Sequence, residues 1–429
     1  FPDGQIRDEV YVWGSFQMST MGHAGVSCAD CHDPHSNANI LPWQDNSLCL
    51  RCHSSGLDGA TIVIPTEHSH HAADSTGNLC VECHMPHTTY MQRDPRRDHG
   101  FLSPDPLMTQ ELGIPNACNR CHDDQSVDWA VEWAEKWYGE QLADKPQRRR
   151  ARALHAAYQG QPDAAAALLE LAKYEEIPAW RATYTGLLAA YAQQPEVNAY
   201  LRSRLDDISS LVRQRAMVSL SGDPTAGAAL RKGLEDPSRN VRLQAARALF
   251  NRREPLNDRR VEDELQTYLD FHTDRVDGAM MAAAAALRDG DTQRALSRIR
   301  RGIAAERNNP EVLRQAAILY SSANRNADAE RMLMEALELA PDAPEINYSI
   351  ALLKAEQNQL SSAIRYLRRT VDFAPDYYRA WYNLALAYTK TEQWARAAEA
   401  LQRAAPGMAT ERGFQQTYQI VQQRLRQQP

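Results

Sequence analysis

No apolar run in these 429 residues approaches the eighteen or more needed to cross a bilayer. A membrane-spanning helix is therefore not expected. No charged and apolar leader precedes Phe1, and the first residue is not Met. The expectation is a mature chain whose export signal has been removed. No cysteine stands at the start, which argues against a lipid anchor on the first residue. Basic residues are scarce at the front: Phe1 to Asp144 holds 7 Lys+Arg against 21 Asp+Glu, a net −14, while the whole chain is only −7. The remainder is therefore mildly basic. An acidic front lacks the concentrated positive surface that phosphate backbones require, so nucleic acid is an unexpected partner. Histidine is rare in the back, where only His155 and His272 occur.

Cysteine is absent outside four short motifs. These read Cys28-Ala-Asp-Cys31-His32, Cys49-Leu-Arg-Cys52-His53, Cys80-Val-Glu-Cys83-His84 and Cys118-Asn-Arg-Cys121-His122. Paired CxxC motifs can hold zinc, and an even cysteine count can mean disulfides. Neither explains why histidine follows the second cysteine all four times. The spacing is the attachment signature of c-type heme: two thiols meet the two vinyl groups, and the next imidazole meets the iron. Four covalently bound heme c groups are expected, with His32, His53, His84 and His122 as proximal ligands. Such attachment places the chain in a periplasm or outside the cell.

An iron with one histidine keeps an open face, whereas two histidines close it for electron transfer. Seven further imidazoles crowd the motif region: His23, His35, His68, His70, His71, His87 and His99. That number favours two histidines per iron. An internal repeat nominates four of them. His23 precedes the first motif as His71 precedes the third, and Pro34-His35 follows the first as Pro86-His87 follows the third.

The run Cys28-Ala-Asp-Cys-His-Asp-Pro-His35-Ser, closing at Leu48-Cys49-Leu-Arg-Cys-His53, resembles the doubled CxxCH motif of multiheme cytochromes. The stretch Cys80-Val-Glu-Cys-His-Met85-Pro86, with Tyr90-Met91, Arg96-Arg97-Asp98-His99 and Pro115-Asn116-Ala117-Cys118, is similar to multiheme cytochromes fused to tetratricopeptide repeats. The resemblance implies His35, His68, His71 and His99 as distal ligands, and sets His23 and His87 aside. His68 and His71 stand three apart, so one helical turn can aim both from one face. Arg96 and Arg97 are candidates to meet heme propionates, or to lie on a solvated turn. The Cys-His-Met-Pro run also resembles pentaheme nitrite reductases, whose open heme is attached through a motif ending in Lys. All four motifs here end in His.

Four macrocycles in about 144 residues leave little room for an ordinary core, so they must pack closely and form much of it. Short helices and loops are expected between motifs, with turn signals at Pro42, Ser54-Ser55-Gly56, Pro95 and Pro104 to Pro106. Ser126 can cap a helix running to about Gln141. Trp129, Trp133 and Trp137 share one face of it, as an electron relay or, more simply, as cement between the last heme and the next domain.

Behind Arg148-Arg149-Arg150 the chain reads as helical repeats. Trp180-Arg181, Val212-Arg213 and Val241-Arg242 recur at intervals of 32 and 29, and Asp236 to Leu249 looks like a HEAT-type repeat. From Asp277 a period of 34 holds. It keeps Ala283, Ala317, Ala351 and Ala385 in register, as it does Ala295, Ala329, Ala363 and Ala397, and Ile299, Leu333, Leu367 and Leu401. That is the tetratricopeptide pattern: four units, then a capping helix near Arg412 to Gln428. The expected fold is mostly α. A loop-rich tetraheme domain (1–144) precedes HEAT-like repeats (145–270) and tetratricopeptide repeats (271–429), the latter two forming an α-solenoid.

The functional expectation is an extracytoplasmic electron carrier that makes and breaks no bond and docks redox partner proteins through its repeats. A sharper version is a filament: copies bring terminal hemes together, acidic front to basic back, with His23 ligating or covering a neighbour's heme. The alternatives are a nitrogen- or sulfur-oxide reductase with one open heme, and an electron-relay subunit of a membrane complex.

Overall fold

The computed structural model describes residues 1–7, 12–90, 93–409 and 411–427. Met91 and Gln428, named above, lie outside them. The described residues form 25 α-helices and one two-stranded ribbon, and divide into two compact units, Phe1–Val261 and Glu262–Pro429. No helix among them is long and apolar enough to cross a membrane.

The first unit opens with short elements. Three of the four motifs lie on helices, Ser47–His53, Cys80–His84 and Cys118–Cys121, and the first lies on the 3₁₀ turn Cys28–Asp30. Cysteines three apart on a helical turn point to the same side, which suits two thiols to one ligand edge. Between the third and fourth motifs stands an antiparallel ribbon that the turn signals did not anticipate, His87–Tyr90 against Asp94–Arg97. Pro95, read as a turn residue, pairs with Thr89 inside it. A two-strand ribbon tolerates proline because both strands are edges.

This front has almost no apolar core. Ahead of the long helix Val127–Asp144, the buried hydrophobic side chains among the described residues are Phe16, Val81, Met108 and Ile114. Large apolar side chains lie open instead, among them Trp13, Ile40, Leu57, Ile62 at 65% exposure and Ile64 at 55%. Ser126 caps the long helix by accepting the Trp129 N–H at 3.1 Å.

Helices then stack in sequence, several opened by a proline that needs no intrahelical donor: Pro146–Tyr158, Pro178–Leu187 and Pro195–Ser203. The arginines of the recurring pairs share one job. The Arg181 guanidinium donates to the carbonyls of Glu175 and Glu176 and to both Asp207 oxygens at 2.9 Å. Arg213 repeats this on the carbonyls of Asp207 and Ile208 and on Asp236. Arg242 donates to the carbonyls of Asp236 and Pro237. Each arginine satisfies the loop ahead of its own helix, and the first two also grip the next loop's carboxylate. The Arg-Arg-Arg run is likewise partly buried and paired: Arg148 holds Asp105 at 2.7 and 3.0 Å and also Glu135, and Arg150 bonds Tyr184 and Glu175.

The second unit is built of helix pairs: Val276–Arg288 with Thr292–Ala305, Pro310–Ser322 with Asn326–Leu339, Pro344–Glu356 with Leu360–Phe373, and Tyr378–Lys390 with Trp394–Met408. The helix Arg412–Arg426 closes the stack. The alanines at the 34-residue step are all essentially buried, and so are Ile299, Leu333, Leu367 and Leu401. Small residues let the helices of a pair touch, and the larger ones fill between pairs, so one core runs from Met280 to Val421. The turn between paired helices also repeats at 34. Gly290, Asn324, Asn358 and Glu392 all adopt left-handed φ, from 57° to 79°.

Candidate heme-binding site

The histidines of three motifs each face a second histidine ring. His32 and His99 stand 6.3 Å apart between ring centres, His84 and His68 6.0 Å, and His122 and His71 6.2 Å. Within each pair the planes differ by 30°, 15° and 36°. Ordinary aromatic pairs have ring centres about 4.5–7 Å apart, so the separation is compatible with plain ring contact as well as with a metal between the rings. A metal between them, with bonds of about 2 Å to each nitrogen, sets the centres about 6 Å apart.

The rings are also turned the right way. Nδ1 of His32 meets the carbonyl of Asn37, that of His53 Thr61, that of His71 Ser69, that of His84 Leu102 and that of His99 Arg97, at 2.6–3.3 Å. A ring nitrogen facing a carbonyl must carry the proton, so Nε2 keeps its lone pair for a metal. Burial lowers the pKa of His84 and His99, which favours the neutral, ligating imidazole.

The fit extends to the thiols. All eight cysteines are free, none is fully buried, and each motif presents its pair on one turn. The Cys49 and Cys80 thiols, from different motifs, are neighbours whose interaction raises the pKa of Cys49 and lowers that of Cys80. Among the described residues no group of three or more His, Cys, Asp and Glu gathers as a cage for a bare metal ion. A flat macrocycle held by two thioethers and two imidazoles matches what is present: facing rings, thiols beside three of them in sequence, and exposed apolar side chains in the same region. Ile62 and Ile64 flank Val63, whose N–H donates to the His53 carbonyl at 2.8 Å, so such side chains lie at the second motif.

The other candidates are placed differently. No histidine ring stacks across from His53 among the described residues. His35 is exposed on a turn made by Asp33, whose carboxylate accepts the N–H groups of His35 and Ser36. His23 and His87 are exposed and face no motif histidine, and His70 stacks on Trp137 at 4.3 Å. Arg97 is engaged by Glu82, by the carbonyls of Val81 and Met85 and by the Trp43 ring, and Arg96 by Asp94. Both have protein partners, where propionates or a solvated turn were the two readings.

Sequence reasoning missed part of how the tryptophan helix meets the ligands. Trp129 packs on His122 at 4.9 Å, and the Tyr138 hydroxyl donates to the His68 carbonyl with its ring beside His68 and His70. Burial pushes Tyr138 up to about 12, keeping that proton in place. The spacing of the tryptophans and the last motif as their target were legible, and Trp129 meets His122 there; the Tyr138 contact with His68 was not.

Comparison with known proteins agrees with both halves. The profile of the doubled CXXCH motif matches residues 22–57, and tetratricopeptide repeat profiles match residues 286–353 and 348–410. The front thus carries a covalent c-type heme-binding motif, and the back carries a repeat type used for protein–protein interaction. No curated protein matches the chain. Among solved structures, MamA from Desulfovibrio magneticus RS-1 is 26% identical with a TM-score of 0.31, over 35% of this chain and 84% of that one. PilF of Pseudomonas aeruginosa is 15% identical with a TM-score of 0.33, over 47% and 93%. Human IFIT1, solved as a dimer with m7Gppp-AAAA, is 16% identical with a TM-score of 0.39, over 60% and 67%. With TM-scores this low, the three carry no functional argument.

Proposed function

We propose that this protein is an exported electron carrier that binds four heme c groups and docks partners through its helical repeats. The observation that carries this reading is the trio of facing imidazole pairs at 6.0–6.3 Å, each formed by a CxxCH histidine and a histidine outside the motifs. In this reading Cys28 with Cys31, Cys49 with Cys52, Cys80 with Cys83 and Cys118 with Cys121 form the thioethers. His32 with His99, His84 with His68 and His122 with His71 would hold three of the irons, and His53 would hold the fourth with His35, the remaining nominee.

Each heme, when bound, supplies one-electron chemistry by alternating between ferric and ferrous iron. The chain's own part is to hold the ligands. Backbone carbonyls fix the tautomer and tilt of each supported ring, Trp129 braces His122, and Tyr138 braces His68, the ring that faces His84. Two histidines per iron leave no coordination position for a substrate. Low potentials follow from histidine in place of methionine. The acidic front favours a basic redox partner.

The extracytoplasmic location rests on the chemistry of heme attachment. A filament of copies joined heme to heme is the sharper form of the proposal, supported by the exposed His23 in the acidic front and by the basic remainder of the chain. Light scattering across a wide concentration range tests it, and a monomer throughout would remove it. For the carrier itself, intact mass is expected to exceed the polypeptide by four heme groups. A mass with fewer, or no Soret band, contradicts it.

One observation favours a second reading. Among the described residues His53 is the one motif histidine with no histidine ring across from it, so its heme is the candidate for an open face and a small reductase activity. A high-spin signal from one heme in four that shifts with cyanide or nitrite supports the reductase; its absence leaves the carrier.

A further inference from the structure

Asn46 stands where the second motif begins, at left-handed φ of 65° just before the helix Ser47–His53, and it is 4% exposed. Both ends of its amide are used. Nδ2 donates to the Asn78 carbonyl at 2.8 Å, and Oδ1 accepts the Cys80 N–H at 2.9 Å. Cys80 opens the helix of the third motif, so its N–H has no partner within that helix. One buried side chain therefore ties the starts of two motif helices that lie 34 residues apart in sequence.

Asn78, 7% exposed, carries the network onward. Its Oδ1 accepts from Ser69 Oγ at 2.9 Å, and its Nδ2 donates to the Ala73 carbonyl at 3.2 Å. Ser69 Oγ accepts the His71 N–H at 3.2 Å, and the Ser69 carbonyl accepts from His71 Nδ1 at 2.6 Å. Gly77 lies against the same ring: a Cβ there would stand 2.3 Å from His71 Cδ2. The network thus runs from the second motif, through the third, to the imidazole that faces His122 of the fourth. None of Asn46, Asn78 and Ser69 stands at a ligand position; they decide where thiols and rings stand. A fully satisfied buried polar network holds one arrangement, because any member that moves leaves another unpaired.

We propose that Asn46 and Asn78 are positioning residues that hold the second, third and fourth heme sites in register and so set the rate of electron passage between them. The inference rests on the four-heme reading above. Each passage takes one electron from a ferrous donor, which becomes ferric, and gives it to a ferric neighbour, which becomes ferrous. No proton or co-reactant is needed. Rigid spacing is what the chain contributes.

The test uses the heme-loaded full chain. Asn46→Gly keeps the left-handed backbone and removes the amide; Asn46→Asp keeps the acceptor and loses the donor. Three readouts apply: intact mass, electron paramagnetic resonance of the oxidised protein, and the rate of electron exchange between an electrode-bound film and a soluble acceptor. For Asn46→Gly the expected result is four hemes, a shifted low-spin signal and exchange slowed several-fold, with Asn46→Asp in between. Four hemes with an unchanged signal and rate overturn the proposal. If Asn46→Gly arrives short of a heme, Ser69→Ala cuts the same network away from the thiols. A wild-type signal and rate in Ser69→Ala, with four hemes, then overturn it. Parent protein without hemes contradicts the four-heme reading itself, a separate result.

Discussion

The residues ahead of Val127 and those behind Glu262 solve the same problem in opposite ways. In the back, both helices of every pair bury alanines and larger aliphatic residues at a fixed step, and the chain is its own core. In the front, four hydrophobic side chains among the described residues are buried while Ile62 and Ile64 stay open, and order comes from hydrogen bonds to backbone carbonyls, asparagine amides and facing imidazoles. A segment so short of apolar burial cannot offset its conformational entropy alone. The difference teaches that the front is built around something the polypeptide does not supply, whereas the back needs nothing added.

The largest expected effect follows directly. Chain produced without heme attachment should lose ordered structure ahead of Val127 and keep the helices behind Glu262. Limited proteolysis with mass mapping reads this; cleavage spread evenly over both would break the comparison. Next in size is a change on the back alone. Leu333→Ala removes a side chain 3% exposed, at a cost of about 2–5 kcal/mol. Denaturant unfolding by circular dichroism should show that loss while the visible heme spectrum stays unchanged.

On the front, His71→Ala should convert one heme of four to high spin, seen in its visible and paramagnetic spectra, whereas His23→Ala should leave the spin state alone. Equal effects of the two would undo the ring pairing. The smallest effect is a gain. Glu392 holds the left-handed turn position that Gly290, Asn324 and Asn358 hold in the other pairs. Glu392→Gly should raise stability by about 1 kcal/mol, since a side chain with Cβ is strained there. Thermal unfolding of the full chain measures it.

How much of this was readable differs between the halves for the same reason. A helix-pair core repeats itself, so the step of 34 in alanine and leucine exposed the second unit almost completely. The left-handed turns also repeat at 34, but Glu392 hides the pattern because its side chain gives no hint of its backbone. In the front the CxxCH spacing was plain, since two thiols and an imidazole must be local to one another. The partners were less so. The resemblance nominates His68 and His71. The helical turn expected to aim both does not form, since the helix Pro65–Ser69 ends before His71 and His70 is left-handed, yet their rings stand opposite His84 and His122. The carbonyls of Thr61 and Leu102 that hold His53 and His84 were invisible, because any residue supplies a carbonyl. The ribbon at His87–Tyr90 was missed because Pro95 reads as a turn and not as a strand. Asn46 looked like an ordinary turn asparagine, and its burial between two motifs is a tertiary fact.

Oxidised, purified full-length protein examined by low-temperature electron paramagnetic resonance, with iron and porphyrin quantified on the same sample, tests the central claim most directly. The account expects four iron porphyrins per chain, every one low-spin with signals typical of two axial imidazoles. Iron without porphyrin, or porphyrin with a majority of high-spin centres, would contradict it.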